Sequence, residues 1–226
     1  MIAAAWRRMA RFARRAPESA EACFTRYFRD QVRVRTLHST SASGRGSDLE
    51  HTAVVRASLP PLLHDLDAHR LLDVPCGDLH WMRHVALPGV HYIGADIVAD
   101  LVAALRQEFA ADPTREFRHL DLIADPLPRV DVILCRDGLV HLPLPAIARA
   151  VRNIKASRAT YLLTTTFPQH DDNRDIRLGE WRPLNFELAP FRWGPPLRCL
   201  NEGYTGDGGQ YPDKSLGLWR IADLPT

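Results

Sequence analysis

Cysteine is scarce in this chain and widely scattered. Cys23, Cys76, Cys135 and Cys199 form no C-x-x-C pair and have no histidine at zinc-ligand spacing, which disfavours both a disulfide framework and a zinc site. An excess of one charge is missing too. The 29 basic and 27 acidic side chains leave a formal charge of +2, too even for a protein that coats nucleic acid. No run of about 18 apolar residues occurs, and the apolar start from Met1 to Trp6 is too short for a secretory segment, so a soluble cytoplasmic protein is expected. No internal repeat is visible. What is present is a 46% hydrophobic content over 226 residues, enough to fill a sizeable core without staples.

The charge is asymmetric only locally. Arg7, Arg8, Arg11, Arg14 and Arg15 precede the first acidic residue, Glu18, and alternate with Trp6, Met9 and Phe12 at helical spacing. Two readings stand: an amphipathic helix touching an anionic membrane surface through residues 1–16, or a solvated or domain-packed helix. The segment also resembles an arginine-rich transit peptide but continues without a processing boundary. "LHSTSASGRGSD" (37–48) is the clearest loop in the first third and sets off a basic helical appendage, 1–40, from a domain covering 41–226. Ser47 and Glu50 fit a capping box, which predicts a helix starting at Asp48 and running through Val55 toward Pro60.

From there strand and helix patterns alternate. "HRLLDVP" (69–75), "HYIGADI" (91–97), "EFRHLDL" (116–122), "VDVILCRD" (130–137) and "ATYLLTTTF" (159–167) read as buried strands. Val98, Leu101, Val102, Leu105 and Phe109 mark one helical face, and Leu144, Ile147, Val151 and Ile154 another, with Pro145 suited to a first turn. Such alternation implies right-handed crossovers and a Rossmann-like α/β sheet, mostly parallel, with helices on both faces. About 28 residues of polar and aromatic loop follow Phe167. "PLRCLNE" (196–202) and "SLGLWRI" (215–221), joined by a glycine-rich linker, then predict a C-terminal antiparallel hairpin.

Ligands of such sheets bind beyond the carboxyl ends of the strands, which directs attention to "DVPCGDLHW" (73–81). A dinucleotide wants G-x-G-x-x-G there, because glycines let the backbone N–H groups approach a pyrophosphate. Here there is one glycine, Pro75 removes a donor, and Asp78 adds negative charge. A nicotinamide-dependent oxidoreductase is therefore disfavoured. A phosphate-free nucleoside with a positive centre fits better, and S-adenosylmethionine is the common example. Asp73 is then expected at its methionine end, Gly77 to give it room, Asp96 on both ribose hydroxyls and Asp121 near the adenine. Each aspartate alone also reads as a helix cap or turn former.

At these residues the chain resembles the class I S-adenosylmethionine-dependent methyltransferases. "LLDVPCGD" looks like that family's first motif with Pro75 and Leu79 in place of two usual glycines, "YIGAD" like the second, "HLDL" like the third and "VILCRDGLVHL" like the fourth. The closer likeness is to a bacterial subgroup with recurring "PCGD", "CRD..VHL", "LLTTTF", "WRPLN" and "DKSLGLW", and it spans about Ser43 to Pro225. It implies a seven-stranded sheet and a cofactor pocket of Asp73, Pro75, Cys76, Gly77, Asp78, Trp81, Asp96, Ile97, Asp121, Leu122 and Arg136.

Among Arg136, Asp137 and His141, which follow the fourth strand, His141 is the candidate general base and Asp137 the second catalytic candidate, to contact the cofactor or orient the acceptor, although "VHL" at a helix start also reads as structural. Trp81 reads either as a shield over the sulfonium or as core. Cys76 and Cys135 lie in apolar stretches, where a thiol serves as a small hydrophobe. In the long loop, Asp171, Asn173 and Asp175 imitate half a calcium loop, but Ile176 stands where glycine is needed, and no metal is expected. Thr165, Thr166, Asn173, Trp181, Arg182 and Asn185 read as an acceptor lid, suited to a small-molecule or glycan hydroxyl, or as plain loop packing. "SGRGS" (43–47) is expected either to close over the cofactor's carboxylate or to cap a helix.

Overall fold

A computed structural model describes residues 18–38 and 41–225. The arginine-rich start, with the membrane contact expected of residues 1–16, lies outside them. Among the described residues no helix is long and apolar enough to cross a membrane.

Seven strands form one sheet: β1 (Arg70–Asp73), β2 (His91–Asp96), β3 (Arg115–His119), β4 (Val132–Cys135), β5 (Tyr161–Thr166), β6 (Arg198–Asn201) and β7 (Ser215–Arg220), in the order β3-β2-β1-β4-β5-β7-β6. The first five run parallel; β7 pairs antiparallel with both β5 and β6, so the C-terminal hairpin forms as the sequence predicts. The short runs of β-branched and aliphatic residues explain why these segments are strands, and their alternation explains the layers. Leu71, Val132 and Leu134 face one apolar cluster, whereas Leu72, Ile133 and Cys135 face the other.

Helices cover both faces. α1 (Ala20–His38) comes first, α2 (Ala53–Asp65) and α3 (Ala99–Glu108) follow, and α4 (Leu144–Ala156) lies after β4. α2 and α3 bury Val55, Leu59, Leu101, Val102 and Leu105 on one face of the sheet, and α4 buries Ile147, Val151 and Ile154 on the other, the stripe its spacing predicts.

One expectation needs correction. The helix predicted from Asp48 begins at Ala53, after Thr52, and continues past Pro60 and Pro61 to Asp65. Ser47 caps nothing: it closes a single 3-10 turn, Arg45–Ser47, because the preceding residues are tied to the loop after β1. The described part of the helical appendage expected over 1–40 packs on the rest of the chain. Its Phe24 packs against the core clusters, and Cys23 is buried with its thiol against the Leu178 carbonyl.

Candidate active site

The strand order reverses at β1, which has β2 on one side and β4 on the other, so loops leaving their carboxyl ends diverge and open a crevice. A cavity occupies that place. It is lined by Asp73–Gly77 after β1, Asp96–Val98 after β2, Leu120–Ile123 after β3 and Arg136–Gly138 after β4, with α1 across its mouth. The cavity has a volume of about 170 Å³ and opens to solvent at its mouth.

Every backbone donor of residues 75–78, in the loop after β1, is absent or engaged inside the protein. Pro75 has none, Cys76 N–H donates to the Ala95 carbonyl (2.8 Å), Gly77 N–H to Asp96 Oδ2 (3.1 Å) and Asp78 N–H to Ser43 Oγ (2.8 Å). No nest of amides is left for a phosphate. What the loop offers is carboxylate. Asp96 is buried, accepts from Val98 N–H and Gly77 N–H through one oxygen each, and keeps two of its roughly four lone-pair directions unused. Burial raises its pKa, and the backbone donors oppose that rise. Asp73, also buried, accepts from the Tyr92 hydroxyl (2.7 Å); burial pushes its pKa up to about 7, against the pull of that hydrogen bond and of Arg136.

Asp78 departs from its expected place. Its carboxylate accepts from Ser41 Oγ (2.9 Å), Ser43 Oγ (3.1 Å) and Ala42 N–H (2.7 Å), so it anchors the 41–43 loop and does not line the cavity. The contact is tight enough that a Cβ on Gly77, whose φ is +55°, would lie 2.2 Å from Ser43 Oγ. The diphosphate is thus excluded by amide engagement and by Asp73 and Asp96, not by Asp78.

After β4 lies a buried knot of charge. Arg136 binds Glu202 (2.6 Å) and Asp137 (3.3 Å), and Lys214 binds Asp137 (2.7 Å) and approaches Glu202 (3.6 Å). Burial works against an ionised Asp137, but Lys214 and Arg136 hold its pKa well below the usual carboxylate range. Asp137 adopts a left-handed backbone (φ 54°), costly for a residue with a side chain, and Asp137 Oδ1, Glu202 Oε1 and Arg136 Nε have no hydrogen-bond partner among the described residues. His141 lines the same cavity. Its Nδ1 lies 3.1 Å from the Glu180 carbonyl, which can only accept; the neutral ring therefore carries its proton on Nδ1 and its lone pair on Nε2. Burial lowers its pKa, against the attraction of Asp137.

Residues 72–160 match a family model described as a methyltransferase domain. Among solved structures the chain is similar to magnesium protoporphyrin IX methyltransferase of Synechocystis PCC 6803 with bound S-adenosylmethionine, at 19% identity, 71% of this chain, 82% of that chain and a TM-score of 0.53. Residues 72–160 thus carry a methyltransferase domain, on a fold shared with S-adenosylmethionine-dependent methyltransferases. It is also similar to human N-acetylserotonin methyltransferase in complex with S-adenosylmethionine, at 13% identity and a TM-score of 0.55, covering 89% of this chain and 56% of that one. The citrinin polyketide synthase CMeT domain aligns with 45% of this chain at 20% identity and a TM-score of 0.37, the match spanning only 30% of it. A search of the curated proteins finds no match.

Within the methyltransferase domain the structure gathers Asp73, Pro75, Cys76, Gly77, Trp81, Asp96, Ile97, Asp121, Leu122, Arg136, Asp137 and His141 around one cavity. The Trp81 ring faces Arg136, 5.5 Å from its guanidinium carbon. The expected acceptor lid is not gathered there. Thr166 donates to the Leu184 carbonyl, Trp181 packs edge-on against Phe167 and Tyr211, and Asn185 donates to the Pro168 and His170 carbonyls. Arg182, fully buried, donates to the carbonyls of Leu139, Val140 and Leu142 and so secures the turn that carries His141. These side chains are satisfied within the loop, which is why they do not reach the cavity. Thr165 accepts from Asp137 N–H and Asn173 binds the Asn185 and Ala189 carbonyls.

Sequence reasoning missed Glu202 and Lys214, which close the charge knot from the two sides of the connection between β6 and β7, and Phe24, Tyr27 and Phe28 of α1. A glutamate and a lysine just outside two apolar strands were the available signal for the first pair. An amphipathic stripe gives no sign of which surface it covers.

Proposed function

We propose that the protein transfers the methyl group of S-adenosylmethionine to a hydroxyl of a small-molecule acceptor. The observation that carries this reading is the loop of residues 75–78: its amides are all engaged or absent, while Asp73 and Asp96 present buried carboxylates to the same space. That chemistry suits a cationic nucleoside and repels a diphosphate.

Bound, the cofactor supplies an electrophilic methyl on a sulfonium. The chain's own residues bind, align and take up a proton. Asp96 accepts from the ribose hydroxyls with its two unused lone-pair directions, and Ile97 and Leu122 give the adenine apolar walls beside Asp121. Asp73 faces the methionine ammonium. Arg136, with the Ser43 and Ser47 hydroxyls nearby, meets the methionine carboxylate. His141 Nε2 is the proton acceptor for the acceptor hydroxyl, held by its Nδ1–H bond to Glu180, and ionised Asp137 steadies the imidazolium that results. Alignment of this kind contributes about 7 to 11 kcal/mol and a base about 10² to 10⁴ in rate, so positioning dominates.

Calorimetry with S-adenosylhomocysteine and with a nicotinamide dinucleotide tests the reading. Binding of the first and not the second is expected; firm binding of the dinucleotide alone overturns it. Turnover with an acceptor separates an enzyme from a cofactor-binding module that performs no chemistry.

A further inference from the structure

The cofactor residues account for the floor of the cavity and not for its mouth. Ala20, Phe24, Tyr27 and Phe28 of α1 form one side of that mouth; His141, Leu142 and Gly179 stand opposite. The rings of Tyr27 and His141 lie 6.3 Å apart and tilted by 47°, so a phenolic side chain sits beside the proposed base. α1 is pinned there by Cys23, which packs so closely on Gly179 that a Cβ at that glycine would lie 2.7 Å from its sulfur, and by the Arg29–Asp100 pair.

Charge around the cavity is one-sided. Besides Asp137, which Lys214 already pairs, the lining carries Asp73, Asp96 and Asp121 against one cation among the described residues, Arg136, whose guanidinium already binds Glu202, Asp137 and the Gly46 carbonyl. What capacity remains to it is claimed by the cofactor's carboxylate. An acceptor bearing its own carboxylate or phosphate would be desolvated beside carboxylates with no free cation among the described lining residues. A glycan fares little better, because Thr166 and Asn185, expected to greet sugar hydroxyls, are committed to the carbonyls of Leu184, Pro168 and His170.

Resting on the methyl-transfer reading of the same site, we infer that the acceptor is an uncharged, ring-bearing hydroxyl compound, and that Tyr27 of α1 seats its ring beside His141. Phe24 and Leu142 supply apolar contact, and the Tyr27 hydroxyl, whose pKa burial raises, stays protonated as a donor.

The test is a titration of the full chain, saturated with S-adenosylhomocysteine, with 2-naphthol and with 6-hydroxy-2-naphthoate, which differ by one carboxylate. 2-Naphthol is expected to bind more tightly by about tenfold or more. Tyr27→Ala should weaken 2-naphthol by about fivefold or more while S-adenosylhomocysteine affinity moves less than about twofold; Tyr27 is partly exposed, and retained cofactor binding reports an intact fold. Equal or tighter binding of the naphthoate, no 2-naphthol binding to cofactor-loaded protein, or an equal loss of both ligands in Tyr27→Ala overturns the inference. Failure of S-adenosylhomocysteine to bind overturns the methyl-transfer reading itself, and this inference with it.

Discussion

Asp96 is the residue on which cofactor affinity should turn. Asp96→Ala removes the acceptor proposed for the ribose hydroxyls and also releases the amides of Gly77 and Val98, so S-adenosylhomocysteine should bind about 1 to 3 kcal/mol more weakly by calorimetry. Asp73 makes binding depend on pH. With its pKa near 7 it carries a proton in acid, which a cationic ligand must expel; affinity should therefore rise as pH climbs through about 7 and level above it. Titrations at about pH 6 and pH 8 would show this slope in the native protein and a flat response in Asp73→Asn. His141 behaves in the opposite compartment of the reaction. Its pKa lies below the ordinary 6.5, so the base is deprotonated at neutrality and turnover should fall only in more acidic solution. His141→Ala should lower turnover by about 10² to 10⁴ and leave cofactor affinity nearly unchanged. Asp73, Gly77 and Asp96 were legible in the sequence because strand ends can be located from periodicity. The true orientation of Asp78 was not, since a local string does not say that Ser41 and Ser43 arrive to take its oxygens.

At the scale of elements, all seven strands and the stripes of α3 and α4 follow from patterns of period two and near 3.6, and the structure departs from them by only a few residues at each end. The start of α2 was misread because Ser47 and Glu50 fit a capping box locally while a tertiary contact holds that stretch in a short turn. The turn Leu139–His141 shows the same dependence on distant partners. Its carbonyls are met by Arg182, forty residues away in the chain for Leu142, a link that no spacing rule announces. Arg182→Ala leaves those buried carbonyls unmet and should destabilise the protein by about 2 to 4 kcal/mol in urea unfolding.

For the whole molecule, a ligand that binds only the folded chain raises its stability by mass action. S-adenosylhomocysteine at about 100 times its Kd should add about 2.7 kcal/mol and lift the melting temperature by roughly 5 to 11 °C, whereas the nicotinamide dinucleotide should leave it unmoved. The overall layering was readable in advance because it depends on alternation along the chain. The closure of the site was not, because it depends on which distant surfaces meet. The charge knot illustrates this on the largest scale: Gly46, Arg136, Asp137, Glu202 and Lys214 come together from the beginning, middle and end of the described residues. An excised piece holding only the stretch 72–160 would keep the family signature yet forfeit Tyr27, Ser43, Glu202 and Lys214 in one cut. Arg136 would then stand without its fully buried counter-ion, so shortening from the carboxyl side should abolish ligand uptake well before it erases the recognisable motifs.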